Sequence, residues 1–364
     1  MVVPIENAAP SEQSEIRVLY GKDALYFAAR FYDREPGRVS ALVMRQGDFS
    51  WGEDGFTIML DPMNQGRSGY VFDINPNGVR NQGLYNNVTE ENWDWQAIWH
   101  GAARQDERGW TAEVAIPFKT LSFDPDNESW GINFTRWLGR RNERFGWVSH
   151  NREQNPAHSG RIVGLRGIEQ GMGLDVVPGF RIGRIDDESN DTEDFLEPSF
   201  DAFYKITPAL TAALTVNTDF SGTTVDARQI NLTRFDLFFP EQRQFFLQDA
   251  DIFEFGLIGD DSGKPFFSRR IGLTQTGTPI DIDVGAKLTG RAGPFDIGVL
   301  GVRQDTDDRA GKADLMAARL AANVLAESSL GMIATVGNPA GTPDNRCSAR
   351  IFAISTRASA PTGP

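Results

Sequence analysis

Residues 210 to 221 read LTAALTVNTDFS, and their alternation decides how the second half of the chain folds. In an extended chain Leu210, Ala212, Leu214, Val216, Thr218 and Phe220 share one face, while Thr211, Ala213, Thr215, Asn217, Asp219 and Ser221 share the other. A strand of roughly ten residues with one apolar and one small or polar face can cross a bilayer at a tilt. The same pattern also suits half of a soluble antiparallel sheet with one packed face. Comparable runs are GLDVVPGFRIG, with Leu174, Val176, Phe180 and Ile182, and PIDIDVGAKLTG, with Ile280, Ile282, Val284, Ala286 and Leu288. GPFDIGVLGV, with Phe295, Ile297 and Val299, and SLGMIATVG continue the series. The polar segments 184–198, 259–264 and 303–312 read as loops between them. About six such strands can be counted, fewer than the eight of the smallest closed single-chain barrels.

Residues 234 to 272 interrupt this texture with RFDLFFPEQRQFFLQDADIFEFG and then FFSRRIG. Phe235, Phe238, Phe239, Phe245, Phe246, Phe253 and Phe255 interleave with Arg234, Glu241, Arg243 and Asp249, in neither a helical nor a strand period. Arg234, Arg243, Arg269 and Arg270 are expected to pair with Glu241, Asp249 or Asp251, because an unpaired charge inside a barrel is costly. The sharper alternative is that these charges line a transport channel. With its F-F-P-E, FFL and SRRIG elements, the stretch closely resembles a motif of a bacterial family in which a domain like family 9 carbohydrate-binding modules precedes a long outer-membrane β-barrel domain, DUF5916. Gln242, Gln244 and Gln248 stand where that family commonly has Lys, Pro and Glu.

The first half reads as a two-sheet sandwich. ALYFAARF places Leu25, Phe27, Ala29 and Phe31 on one side, FTIMLD alternates Phe56, Ile58 and Leu60 with Thr57, Met59 and Asp61, and YVFDI precedes an Asn75-Pro76-Asn77-Gly78 turn. WTAEVAIPF and WGINFTRW follow, with Trp110 and Trp130 on core faces. The order ALYFAARFYD, SWGEDGFTIMLDP, YVFDINPNG, GWTAEVAIPFKTL, SWGINF is similar to the family 9 carbohydrate-binding fold over about residues 10 to 165. That family carries W-x-x-D-x-x-E beside its sugar pocket; here Trp51 and Asp54 match, but Thr57 takes the third place and cannot supply a carboxylate. Sugar recognition needs flat aromatic faces and polar groups at their rim, which makes Trp51, Asp54, Trp93 and Trp95 the candidate carbohydrate-binding residues. ENWDWQAIWHG could equally bury Trp93, Trp95 and Trp99 as one strand face in the core.

The bulk numbers limit the remaining classes. All eight tryptophans lie between Trp51 and Trp147, so one composition does not describe both halves. A net charge of −14 and a pI near 4.8 repel nucleic-acid phosphates, so no nucleic-acid partner is expected. The lone Cys347 excludes an internal disulfide, and His100, His150 and His158 lack zinc spacing, so no metal or cofactor is expected. No apolar run approaches the length of a membrane helix. The start MVVPIENAAPSEQSE shows no signal peptide, so under the family reading it is internal to a longer precursor.

The expected architecture is therefore all-β: a carbohydrate-binding-like β-sandwich over 1–165, N-terminally truncated, and part of an antiparallel membrane-type barrel over 171–346. Residues 160–173 are expected to hold the boundary, and 347–364 read as an aberrant tail. One permitted back-translation of Cys347 to Arg357, shifted by one base, gives VLGADFRYLNTR, an ordinary barrel strand, which suggests a frameshift. The expected function is noncatalytic carbohydrate binding at the bacterial outer membrane or periplasm, with outer-membrane lipid around the second half. The alternatives are a glycoside hydrolase or its accessory fragment, for which no carboxylate pair stands out, and a structural or transport barrel without sugar binding.

Overall fold

The computed structural model describes residues 3–48, 50, 52–85, 91–93, 95–152, 154–186, 192–218, 241–253, 265–274, 279–305, 312–325, 328–339 and 346–354. The chain is all-β and divides into two compact units, Met1–Met172 and Gly173–Pro364.

The first unit holds β1 (Ser14–Tyr20), β2 (Ala24–Tyr32), β3 (Gly55–Asp61), β4 (Gly69–Ile74), β5 (Arg80–Tyr85), β6 (Glu91–Asn92), β7 (His100–Asp106), β8 (Gly109–Pro117), β9 (Ser129–Leu138), β10 (Glu143–Gly146) and β11 (Gly160–Val163). They form two antiparallel sheets. One has the order β1-β2-β8-β7; the other has seven strands in the order β10-β9-β3-β4-β5-β6, with β11 also paired to β9. The alternating residues of the sequence meet between them: Phe31 of β2 lies 5.0 Å from Phe56 of β3 and 4.2 Å from Trp110 of β8, and Phe27 meets Phe134 of β9 edge-on at 5.9 Å. Trp130 closes the end of this core against Phe118 and Phe123. Gly160–Val163 is a ladder strand of the sandwich, and the N–H groups of Gly164 and Leu165 bond the carbonyl of Glu128, so the sandwich uses the first residues of the Gly-rich stretch 160–173.

The second unit is one eight-stranded antiparallel sheet in sequence order: β12 (Leu174–Asp186), β13 (Thr192–Thr207), β14 (Leu210–Thr218), β15 (Ile282–Ala292), β16 (Phe295–Asp305), β17 (Lys312–Leu325), β18 (Ser328–Val336) and β19 (Arg346–Ile354). Among the described residues no pairing joins β19 to β12. Eight strands replace the six counted from sequence. Most of the polar segment 184–198 is the end of one strand and the beginning of the next, zipped from Leu174↔Tyr204 to Asp186↔Thr192 with Arg181 paired to Glu197. Lys312–Leu325, poor in large alternating residues, pairs along β16, and the segment from Cys347 pairs with β18. A ladder joins backbone groups and does not require side-chain alternation, which is why these strands escaped the pattern.

The burial of this sheet is inverted. On β14 Thr211, Ala213 and Thr215 are buried while Leu214 and Val216 are exposed. Lys205, Lys287, Thr289 and Gln304 are also buried, whereas Phe180 is 73% exposed. The exposed side forms continuous cross-strand rows, such as Val176, Ala202, Leu214, Ala286, Gly301, Met316 and Val336 across seven strands. Ile282 corrects the sequence expectation, because it is fully buried rather than on the apolar outer face. Asn217 adopts φ 59° and the β15–β16 register shifts between Ile282 and Val284, and such a bulge turns the following side chain to the other side.

The inner face is covered by the described part of the aromatic segment. Gln244–Leu247 makes one helical turn, and Ala250–Phe253 and Ser268–Arg270 make 3-10 turns. Phe245, Phe246 and Phe253 pack with Ala213, Ile282, Leu300, Val302 and Leu315. Glycine makes room: a Cβ on Gly285 would stand 3.1 Å from the Phe245 ring, and one on Gly298 3.0 Å from that of Phe253. Of the expected ion pairs, Arg243 to Glu241 is present at 2.8 Å, fully buried, with Arg243 also donating to the carbonyls of Ile271 and Ser268. Asp249 instead accepts from Thr289, and Asp251 pairs with Arg291 of β15. Arg270 is exposed; Arg234, Phe235, Phe238, Phe239 and Phe255 lie outside the described residues.

Candidate functional site

The two faces of the seven-stranded sheet do different things. Phe56, Ile58 and Leu60 of β3 and Tyr70, Phe72 and Ile74 of β4 face the other sheet, so the residues between them form an outer face. Cross-strand pairing aligns that face in rows: Thr135, Thr57, Asp73 and Asn81 in one, and Asn133, Met59, Val71 and Gly83 in the next. A sheet face turned to water would carry exposed polar groups, yet Thr57, Met59, Val71, Asp73, Tyr85, Asn133 and Thr135 are all buried. Trp93 packs against Met59, Val71 and Tyr85, and Gly83 allows it, since a Cβ there would stand 3.2 Å from the indole. Trp137, opposite Gly55, is half-buried with the Arg144 guanidinium 5.1 Å from its ring centroid.

The polar groups form a connected set. Trp137 Nε1 donates to Thr57 Oγ1 at 3.2 Å, and Thr57 in turn bonds the Asp73 carboxylate. Gln154 donates to Thr135, and Tyr85 donates its hydroxyl to Glu91 at 2.7 Å. Asp73 is the exception to complete pairing: it is 5% exposed, and its Oδ1 has no hydrogen-bond partner. Burial, reinforced by the charge of Glu91 and only partly offset by Thr57, pushes its pKa up to about 7. A small crevice with room for about one water molecule opens at this end of the sheet, lined by Asp48, Glu53, Gly55, Asp73, Asn75 and Asn81 among others. Glu53 holds the loop in place: its carboxylate accepts the N–H groups of Leu42 and Val43 and the Asn75 amide.

The four residues named from sequence separate. Trp93 lies on the outer face. Trp95 does not: it is 2% exposed and packs on Tyr70 and Phe72 at 5.2 and 6.2 Å, on the core side, which corrects its assignment as a binding residue. Trp99 joins it there, donating Nε1 to Gln82. Asp54 is fully buried; one oxygen accepts the Gly139 N–H, and burial raises its pKa to about 6 despite nearby Arg136. It falls on the core parity of β3, so it secures the start of that strand rather than the outer face. Trp51 lies outside the described residues. Sequence reasoning missed Asp73 and Trp137. Both were legible as outward positions of alternating strands, YVFDI and WGINFTRW, but only the register shows that Asp73 stands beside Thr57. A carboxylate therefore stands beside position 57, on the neighbouring strand.

Residues 4–164 match the family described as carbohydrate family 9 binding domain-like, and residues 174–289 match a domain of unknown function, DUF5916, in the order expected from the sequence motifs. No curated protein matches the chain. A solved structure from Bacteroides uniformis, of a protein named for an assumed carbohydrate-binding role, is 14% identical, with 42% of this chain and 78% of that chain covered and a TM-score of 0.35.

Proposed function

We propose that this chain, a carbohydrate family 9 binding-domain-like region followed by a DUF5916 domain, binds a carbohydrate without cleaving it, on the outer face of the seven-stranded sheet. The observation that carries the reading is the Asp73 carboxylate, buried beside Thr57 with one oxygen unpartnered, between the half-buried indoles of Trp93 and Trp137. Flat aromatic surface holds the apolar face of a pyranose, and polar groups at its rim hold its hydroxyls. Noncatalytic binding is supported by Glu53: of the acids that line the crevice with Asp73, it is the buried one, and it spends both oxygens on the loop it supports. A glycosidase needs an acid and a second carboxylate free to act on the bond between them.

The second unit serves as an outer-membrane anchor in this reading, placing the sandwich at the periplasm or cell surface. Its support is the band of apolar side chains exposed on β12 through β18, opposite an inner face that mixes lysine, threonine and glutamine with the Leu300, Val302 and Leu315 that meet the aromatic segment, a distribution that suits a strand between lipid and a filled interior. The test is a glycan array probed with the full chain in detergent, followed by titration of any hit against Trp137→Ala. Binding that depends on Trp137 supports the reading, and binding to no glycan overturns it.

A further inference from the structure

Residues 148–159, described except at 153, cover part of the outer face and hang from one edge of the sheet. β10 and β11 both pair with β9, β10 ending at Gly146↔Thr135 and β11 beginning at Gly160↔Ile132, so the chain between them leaves that edge and returns beside the point of departure. A compact surface loop with its ends this close is of the Ω type. Its base is clamped: the Asn133 side chain bonds both the N–H and the carbonyl of Val148 at 2.9 Å, and the His150 ring stacks on that of His158 at 3.6 Å. Farther along, Gln154 reaches over the face, donating to Thr135 Oγ1 with its carbonyl oxygen 3.2 Å from the Tyr85 hydroxyl. Thr135 and Tyr85 are 2% and 1% exposed beneath it.

We infer that this loop is a lid, closed over Thr135 and Tyr85 and able to lift about its base while the sandwich stays folded. Among its described residues only Pro156 is buried, beside Gly69, so lifting it forfeits little apolar contact. Two polar latches hold the rest. Gln154 is the inner one; the outer one is Glu6, whose carboxylate accepts the Ser149 hydroxyl and the Arg152 N–H. Water replaces bonds of this kind at small net cost. Asn151 and Arg152 stand at φ 51° and 65°, and an arginine keeps that conformation only while its surroundings hold it, so release of Glu6 favours the open arrangement. The next outward residue of β9 after Thr135 is Trp137, so the lid borders the surface on which the carbohydrate reading seats the sugar. It decides when a ligand of that surface has access, and it is tested without a sugar, so either reading can fail alone.

The test is alkylation of buried thiols by iodoacetamide in the full chain in detergent, with rates read peptide by peptide and normalised to those in denaturant. Thr135→Cys reports the lid; Ala112→Cys, 1% exposed inside the sandwich, reports unfolding of the whole unit. The first is expected to react at least about tenfold faster than the second, because local opening lies below global unfolding in free energy. Gln154→Ala should speed the first by about threefold or more and leave the second unchanged. Trypsin cleavage after Arg152, in chains without added thiols, reads the same release and should quicken by a similar factor in Gln154→Ala and in Glu6→Ala. Equal alkylation of the two thiols overturns the lid, since the face is then reached only by unfolding. Rates at Thr135→Cys and at Arg152 that ignore Gln154→Ala overturn it as well, because the inner latch then holds nothing.

Discussion

The sandwich and the eight-stranded sheet are built from similar alternating strands, and they bury opposite faces. In the first unit Phe27, Phe31, Phe56 and Trp110 converge on one interior. In the second, Leu214, Val216, Val284 and Met316 look outward, while Thr215, Lys287 and Gln304 are buried beneath an aromatic insert. Alternation shows only that a strand has two faces; the partner layer decides which face is interior. Where the interior is another sheet, large apolar side chains fill it. Where the interior is an aromatic segment tied down by Arg243, Lys287 and Thr289, polar residues such as Thr215 and Gln304 face it beside Leu300, Val302 and Leu315, and the remaining apolar side chains lie on the other face.

The contrast breaks most sharply at Trp95. As a core residue beside Tyr70 and Phe72, its replacement in Trp95→Ala should cost about 3–5 kcal/mol. Urea unfolding of the sandwich, followed by the fluorescence of the remaining tryptophans, measures it. A loss no larger than that of an exposed substitution would mean that the indole belongs to the outer face after all.

The opposite expectation holds for Leu214, within an outward row that crosses seven strands. Leu214→Arg on a water-facing sheet should be nearly neutral, but on a lipid-facing strand it should cost about 2–4 kcal/mol. Folding into detergent micelles or lipid vesicles at increasing denaturant reads the difference. A wild-type chain that is a monodisperse monomer without detergent would show that the outward face is made for water.

A pH experiment sharpens the description of the sandwich face. Asp73 is raised from 3.8 to about 7 in the folded state, so its contribution to stability is complete below about pH 4 and is lost as pH rises through about 7. Asp73→Asn should therefore be more stable than the wild type at pH 8, by on the order of 3 kcal/mol, with the gap closing toward pH 4. Asp54, raised to about 6, adds a smaller loss of the same sign that both proteins retain. A difference that grows toward low pH would place Asp73 in a solvated or positively compensated setting.

Much of this was legible in the chain. The core of the sandwich followed from period-two alternation, and the order of its strands from short motifs such as ALYFAARFYD and SWGINF. The outward residues of the second sheet were mostly legible too. Three things were not. The polar hairpin at Asp186↔Thr192 and the alanine-rich β17 are strands by backbone pairing, which leaves no side-chain signature. Ile282 changes sides at a bulge that no pattern announces. The candidate face depends on which residues of β3, β4 and β9 stand abreast, and register is a property of pairs of strands, so the sequence motif alone could not show that Asp73 stands beside Thr57.

The smallest expected effect is the most direct test of the outer face. Trp93 and Trp137 are half-buried against Gly83 and Gly55, so replacing either with alanine removes stacking surface without opening the sandwich core. Each should weaken carbohydrate binding by about 1–3 kcal/mol, the scale for losing one flat stacking partner. Trp147→Ala, at an exposed indole tilted against Phe134, is the control and should leave affinity unchanged. Fluorescence titration separates the three: quenching or blue shift on sugar addition should vanish in part with each outer-face tryptophan. If Trp147→Ala abolishes the response while Trp93→Ala and Trp137→Ala retain it, the sugar sits at the edge of the sandwich, and the buried row through Thr57 and Asp73 serves packing alone.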